Sequence, residues 1–594
     1  MLQIVPTAHQ LQRLQQAFAE LKAENDSLLR TATERAFVHT RVFRAAQDHF
    51  RCLLIGRKGS GKTALLLGHE SENASRYLTS ASVAIRADDF PLEPLFHFFY
   101  ADFTRAAKAA HEVTHRVTDL GVFSDPVRIS AHAWANCLRC SAVFVGANSL
   151  LGLGRSLSAE ETAILKKGRN AIASHMGLRV RQRTAEASAT EVVFSLLVYF
   201  FQAAQAVIDK ALGAHTAELA VVLAAATRRL TSYLSKKLDS RITAAARVLH
   251  RVLGQDQRQI LLTLDKFDDF YDEFYRRTTS APDREARRHF LADLMHGLVL
   301  ASRDLVRDPT YSWVDVLFTI PMDKFLELHL REREDLEQAH VLRLEWTPRE
   351  LLEYANRRIA YALDLPDEQR HQAWKQLFDF DVTNGTVKEV KEDSFLYVVR
   401  HSLWKPREIQ MYISAVLREM AETRLPADEA MFRRVVKRES EKIIRREFLE
   451  EFQSEYPGLL ELIKRLEDLQ LKTVMTYSDL CDKLGTVRLF REPVSTSEVA
   501  LRLFYMGVLG VRQVYQAERR QATPKTVTQQ REEVAYVYCF NSDSRDPFDE
   551  ARRVVFHPMF FEFLNVKHSE EYVVNELRWD MFPEEPAGAS EGHG

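Results

Sequence analysis

Cys52-Leu53-Leu54-Ile55-Gly56-Arg57-Lys58-Gly59-Ser60-Gly61-Lys62-Thr63 is the stretch that decides how this chain is read. Four apolar residues make a buried strand, and the next eight fit G-x-x-x-x-G-K-[ST], the pattern of a phosphate-binding loop opening a helix. Each residue type has a reason to be there. Glycines let the backbone curl until successive N–H groups point into one anionic hollow. The helix that starts at the loop adds its positive dipole end. Lys62 has the reach for β- and γ-phosphates, and the Thr63 hydroxyl suits Mg²⁺. The nucleotide-binding segment is therefore Gly56, Arg57, Lys58, Gly59, Ser60, Gly61, Lys62, Thr63 and Ala64.

Outward from the loop, short apolar runs alternate with helical stretches. Ser82–Arg86, Ile260–Leu264, Val314–Ile320 and Val341–Leu344 read as further strands. Short buried strands separated by helices predict an α/β fold with a parallel sheet. Between the second and third strands, about 90–257, the pattern is almost wholly helical, with breaks expected near Gly121–Pro126 and Gly146–Gly154. That length reads as a helical insertion into the sheet domain.

The remaining organisation is a helix over 1–33, a P-loop domain over 34–345, a helical lid over 346–447, a module over 448–579 and a solvated tail over 580–594. The first helix is expected across Ala8–Thr31, and no strand is expected after Trp346 until the fourth segment. There, helices Leu459–Leu469, Tyr477–Leu484 and Ser495–Phe504 precede strands Val508–Tyr515 and Val534–Phe540. Three helices and a two-stranded hairpin are the order of a winged helix-turn-helix.

Composition excludes several classes. A chain of 594 residues exceeds one ordinary domain. A net charge of -2 gives no global pull toward nucleic acid or membrane, so such binding needs a local patch. Five scattered cysteines build no disulfide framework and point to a reducing cytoplasm. Cys137 and Cys140 form a lone C-x-x-C without a second pair, which reads as two buried thiols rather than a metal site. Val192–Ile208 is apolar but carries Gln202 and Gln205 and is slightly short for a bilayer. It reads as a buried or partner-packed helix.

The chain resembles bacterial P-loop ATPases allied to the AAA+ and STAND classes, and also the origin-recognition-type ATPases. The resemblance rests on Gly56–Thr63, the strand into Asp265, Trp346-Thr-Pro-Arg-Glu-Leu351, Lys405-Pro406-Arg407-Glu408 and the terminal winged-helix pattern. It thins across 90–257. The resemblance implies ATP, Mg²⁺, a nucleotide-dependent switch and self-assembly as a homo-oligomer, with some such proteins serving in anti-phage defence. Thr63 and Asp265 are then the metal-directed groups. In AAA-like proteins an acid directly follows that aspartate; Lys266 stands there instead, which moves the water-orienting carboxylate to Asp268 or Asp269 or leaves hydrolysis slow. Asp268 equally suits an acidic helix start. Thr319 sits where the group has a polar γ-phosphate sensor, and is equally an ordinary strand threonine. Arg407 resembles the lid arginine that reads the γ-phosphate, and equally suits a surface helix start. Arg331 and Arg333 are the weaker candidates for fingers reaching a neighbouring copy's nucleotide.

Nucleic-acid contact is expected from two basic sets. Arg512, Arg519, Arg520, Lys525 and Arg531 span the hairpin, where a wing meets the phosphate backbone. Arg434, Arg438, Lys442 and Arg445 recur at three- and four-residue steps, giving one helix face, with Glu439, Glu441 and Glu447 nearby. Three functional readings arise, in this order: an ATP switch acting on DNA or a partner, an ATP-binding scaffold that recognises an effector protein, and a membrane-associated ATPase.

Overall fold

Contacts divide the chain into two units, one of Arg41–Arg57 with Lys62–Leu344, the other of Met1–Thr40, Lys58–Gly61 and Glu345–Gly594. The computed structural model describes residues 5–20, 25–26, 37–46, 52–73, 76–84, 96, 126–153, 157–175, 195, 239–267, 281–322, 325, 340–384, 390–452, 458–485, 495–518, 530–540, 548, 553–574, 577 and 579–582. The first helix, α1, spans Ala8–Ala17.

The unit of residues 41–57 and 62–344 is an α/β unit. Its strands are β1 (Leu53–Gly56), β2 (Tyr77–Ala84), β3 (Gln259–Asp265), β4 (Val314–Pro321) and β5 (Val341–Arg343). They form one sheet in the order β2-β3-β4-β1-β5, and every pairing is parallel. All five runs expected from the sequence contribute a strand. The second begins earlier than expected, at Tyr77, because Tyr77–Ala84 pairs along β3 from Gln259 to Asp265. Helix α2 (Lys62–Glu72) follows β1.

Two helices of this unit are long: α3 (Pro126–Gly152), within the insertion, and α5 (Ala281–Arg307), after β3, with α4 (Ala159–His175) between them in sequence. The helix starts at Pro126 and ends at Gly152, within the two expected breaks, and Gly146 itself lies inside it. Gly146 permits close approach, since a Cβ would stand 2.7 Å from Cδ1 of Ile260 on β3. Gly297 does the same between α5 and α3, where a Cβ would lie 2.6 Å from the Ala131 amide nitrogen. Trp134 Nε1 and the Ser130 hydroxyl both donate to the Leu294 carbonyl across this contact, at 3.0 and 3.1 Å. Cys137 and Cys140 are both buried in this core, and burial pushes the Cys140 thiol up to about 12. Among the described residues no cluster of His, Cys, Asp and Glu could hold a metal ion.

The other unit joins α1 to everything after Leu344. Thr7 caps α1 in a reciprocal box with Gln10. The helix ends at Ala17, short of the expected Thr31, because the Phe18 carbonyl turns outward to accept from Gln410 Nε2 and the Ser414 hydroxyl. Tertiary partners override the local pattern here. Helix α6 (Pro348–Leu363) has its own box, Thr347 with Glu350. The expectation of no strands after Trp346 fails at an antiparallel pair, β6 (Asp381–Asn384) with β7 (Val390–Asp393). Its β7 residue Glu392 is buried against Arg400, the last residue of α7 (Ser394–Arg400). Helices α8 (Pro406–Thr423) and α9 (Glu429–Ile443) follow, then one π-helical turn at Ile444–Phe448 and α10 (Leu449–Phe452).

After α11 (Leu459–Asp468) the expected two-stranded hairpin is part of a four-stranded sheet. Strands β8 (Val474–Thr476), β9 (Leu509–Glu518), β10 (Gln530–Val537) and β11 (Arg553–Phe556) lie in the order β10-β9-β11-β8. Helices α12 (Tyr477–Gly485) and α13 (Thr496–Tyr505) separate β8 from β9. The tail expected from residue 580 begins as a docked segment. Arg349 donates to the carbonyls of Trp579 and Phe582, and Phe582 meets Trp404 edge to face. Among the described residues no helix is long and apolar enough to cross a membrane; apart from Ser195, Val192–Ile208 lies outside them.

Candidate functional site

Parallel register brings three sequence-distant residues to one edge of the sheet. Leu54 of β1 pairs with Thr319 of β4, and Leu264 of β3 pairs with Phe318. Asp265, Thr319 and the loop leaving Gly56 therefore share the carboxyl ends of their strands, the edge where open α/β sheets hold ligands. The Thr63 hydroxyl donates to Asp265 Oδ2 at 2.7 Å across 202 residues of sequence. The Thr319 hydroxyl donates to Oδ1 of the same carboxylate across 54 residues. Asp265 is buried, and these two neutral hydroxyls are its described hydrogen-bond partners. A buried carboxylate met only by neutral donors is an acceptor for a cation, since buried charges are paired or bind metals.

Lys62, the first residue of α2, is buried, and its ammonium donates to the carbonyls of Gly56 and Arg57 at 2.9 and 3.2 Å. The ammonium thus sits inside the curl of the loop, held by backbone oxygens. Gly59 and Gly61 have φ of 79° and 94°, the left-handed region that favours glycine. The loop's shape needs both of them. Lys266, directly after Asp265, takes φ 67°, an uncommon conformation for a side-chain-bearing residue, so β3 ends abruptly at the carboxylate. Asp268 and Asp269, and also Arg331 and Arg333, lie outside the described residues.

Loop residues 58–61 pack within the unit that contains α8. Trp346 Nε1 donates to the Ser60 carbonyl at 2.6 Å, while the Ser60 hydroxyl is buried with no hydrogen-bond partner. A Cβ on Gly59 would stand 3.4 Å from Cβ and 3.6 Å from Nε of Arg407. Arg407 lies along the loop here, its Nη1 on Glu447 Oε2 at 3.0 Å and its Nε buried without a partner. Lys405 makes a deeper pair with Glu451, 2.6 Å apart and both about 6% exposed.

On the basic helix face, two of the acidic neighbours named from the sequence, Glu439 and Glu441, are ion-pair partners, and Glu419 is a third. Arg434 and Arg438 share Glu419 at 2.9 and 3.0 Å, Lys442 pairs with Glu439, and Arg445 pairs with Glu441 and covers the Phe563 ring. Hydrogen bonds from the two guanidiniums hold the Glu419 carboxyl below the usual carboxylate range. Each of the four cations already has a carboxylate, so the face is largely neutralised. In the hairpin, Arg512 lies opposite Tyr536, and Arg531 opposite Ala517. Arg519, Arg520 and Lys525 lie outside the described residues.

Sequence reasoning missed Glu447 and Glu451 as partners of the Lys405–Arg407 segment. No local signal marks them; only the packing of α10 and the π turn against the start of α8 brings them there. Comparison with protein-family models, with curated proteins and with solved structures gives no match.

Proposed function

We propose that this chain binds ATP with Mg²⁺ at the loop of residues 56–64 and acts as a slowly hydrolysing P-loop switch ATPase. The observation that carries this reading is the buried Asp265 carboxylate, met by the hydroxyls of Thr63 and Thr319 at the edge where the glycine loop leaves β1. The residues fit the ligand. A carboxylate and two hydroxyls are the hard oxygen donors that Mg²⁺ takes. The ammonium of Lys62 and the left-handed glycines suit a polyphosphate. Bound ATP would supply a γ-phosphoryl group whose charge the metal neutralises.

The chain's own residues account for the rest. Thr319 fixes the Asp265 carboxylate so that one oxygen edge stays aligned with Thr63. Lys62 exchanges two neutral carbonyl acceptors for anionic phosphate oxygens, the stronger partners. Slow hydrolysis is supported by the chain turning left-handed at Lys266, which puts a cation in place of an adjacent general base. The α11-β8-α12-α13-β9-β10 succession supports a winged-helix-like module at the carboxyl end. The paired state of the α9 cations favours a protein partner over broad phosphate contact.

A thermal melt tests the reading. ATP–Mg²⁺ at about a hundred times its dissociation constant stabilises the wild type by ~2.7 kcal/mol, by mass action. Lys62→Ala loses most of that gain. A wild type whose melt is unmoved by any nucleotide refutes the assignment.

A further inference from the structure

Leu577 and Trp579–Phe582 meet the rest of their unit as a peptide meets a binding groove, through backbone groups and two aromatic anchors. Arg349, in the first turn of α6, donates Nη2 to the Trp579 carbonyl at 2.9 Å and Nε to the Phe582 carbonyl. Its guanidinium also lies over the Trp579 ring, 5.7 Å from the centroid. The Trp579 indole donates to the Asp393 carboxyl, and its ring stacks on Phe395 with centroids 6.2 Å apart. Phe582 meets Trp404 edge to face at 6.0 Å. The Leu577 amide donates to Glu392 Oε1 at 3.4 Å. An arginine fork on two carbonyls, with a slot for each of two rings, is a peptide-binding arrangement.

The walls of the groove are held without the segment. Glu392 is bound by the Arg400 guanidinium and by Asn384 Nδ2 at 2.9 Å. Asp393 caps α7 by accepting from the Phe395 amide at 2.9 Å. Trp404 takes φ 57°, in the left-handed region, and its ring is 5.4 Å from that of Phe540. Such a conformation in a bulky residue persists only where the surroundings impose it, and it concentrates at ligand clamps and switch regions. The occupant is the lighter partner. Trp579 and Phe582 are half-buried and Met581 is 48% exposed, whereas Glu392 and Phe395 beneath them are buried. Segments with so little buried surface open locally at low cost.

We propose that residues 577–582 are a releasable latch: an intramolecular ligand that closes a preformed groove of Arg349, Asp393, Phe395 and Trp404 to an outside peptide carrying Trp and Phe three residues apart. The tethered segment competes at an effective concentration of about millimolar, so an outside peptide enters only when it is concentrated or when the latch is displaced. This is independent of the nucleotide reading above.

The test uses the full chain and a labelled synthetic peptide of residues 576–583. Trp579→Ala with Phe582→Ala removes both anchors of the latch. The peptide is expected to bind that variant at least about tenfold more tightly than the wild type, because a groove open for a tenth of the time or less binds that much more weakly. Adding Arg349→Ala should abolish the gain, and a peptide with its Trp and Phe replaced by Ala should bind neither chain. Hydrogen exchange on the wild type needs no variant to fold. The Leu577 and Phe582 amides, on Glu392 and the Trp579 carbonyl, should exchange by local opening whatever the urea concentration, while the Phe556 amide, on the Thr473 carbonyl, should follow global unfolding. Equal binding by wild type and variant, binding by neither, a gain that survives Arg349→Ala, or Leu577 and Phe582 amides as protected as that of Phe556 overturns the latch.

Discussion

Asp265 and Glu419 are both carboxylates that accept from two side chains, and they mean opposite things. Glu419 is met by two guanidiniums from α9, 15 and 19 residues away, which more than balance its charge. Asp265 is met by two hydroxyls, 202 and 54 residues away, which balance none of it. The first arrangement is electrostatically complete at the surface. The second leaves a buried carboxyl group that, among the described residues, meets hydroxyl donors and no ion-pair partner. A functional site is more credible where the fold gathers distant residues around an incomplete charge than where a helix lines up charges that its neighbours already cancel.

The strongest break of this contrast uses a third carboxylate, one that is both buried and compensated. Removing Glu451 strands Lys405 inside the protein, so Glu451→Ala is expected to cost about 3–5 kcal/mol in urea unfolding. Glu419→Ala should cost no more than about 1 kcal/mol in the same measurement. Asp265→Asn sharpens the comparison from the other side. It removes charge while retaining a carbonyl acceptor, so ligand-free stability should change by about 1 kcal/mol or less. The nucleotide-induced melting shift should then no longer depend on added Mg²⁺; persistence of that dependence would remove Asp265 from the metal site.

A pH titration offers a smaller effect. Burial, reinforced by Arg400, pushes the His401 imidazole from its ordinary 6.5 down to about 4, and its Nδ1 lies 2.8 Å from the Tyr397 carbonyl. Above pH 6.5 the ring is neutral in both folded and unfolded chains. Between 6.5 and 4 only the unfolded chain takes up the proton, so stability should fall across that window. His401→Asn should flatten this limb of the stability–pH curve. The smallest effect is expected on α9. Arg434→Ala with Arg438→Ala should shift stability by about 1 kcal/mol at most and leave any retention of duplex DNA at ~50 mM salt unchanged. Loss of retention would return this face to nucleic-acid binding.

The parallel sheet was legible because each strand is a contiguous apolar run beside a helical stretch, and the glycine loop because its chemistry is local. Strands β8 and β11 were not legible. They are three and four residues long, and only the pairing of β11 with β8 on one side and with β9 on the other makes them strands. Pair β6–β7 hid behind polar residues whose Glu392 becomes buried only once Arg400 folds over it. The helix end within Gly146–Gly154 was legible from its glycines, but not which of them ends the helix: it is Gly152, while Gly146 admits Ile260 of a neighbouring strand. Among the candidate residues, Lys62, Thr63 and Asp265 could be picked out by residue type, and the fold brings the Thr63 hydroxyl to Asp265. Glu447 could not, since beside Arg445 and Arg446 it looks like any acidic residue on a charged helix.

The strapping of α1 onto α6 and α8 has a consequence for synthesis on the ribosome. Arg13 binds Asp364 and the Tyr361 carbonyl, and Gln15 donates to the Leu417 carbonyl. Leu14 and Phe18 are wholly buried in the same cluster as Leu351, Ile359 and Ile413. At about 5–20 residues per second, the 351 residues between Arg13 and Asp364 take about 20–70 s to translate. Through that interval the apolar stripe of α1 has emerged without its socket, while the whole of 41–344 is made and can fold. A nascent chain stalled near residue 340 should therefore display α1 to chaperones, and one stalled far enough past residue 425 for α8 to have left the exit tunnel should hide it.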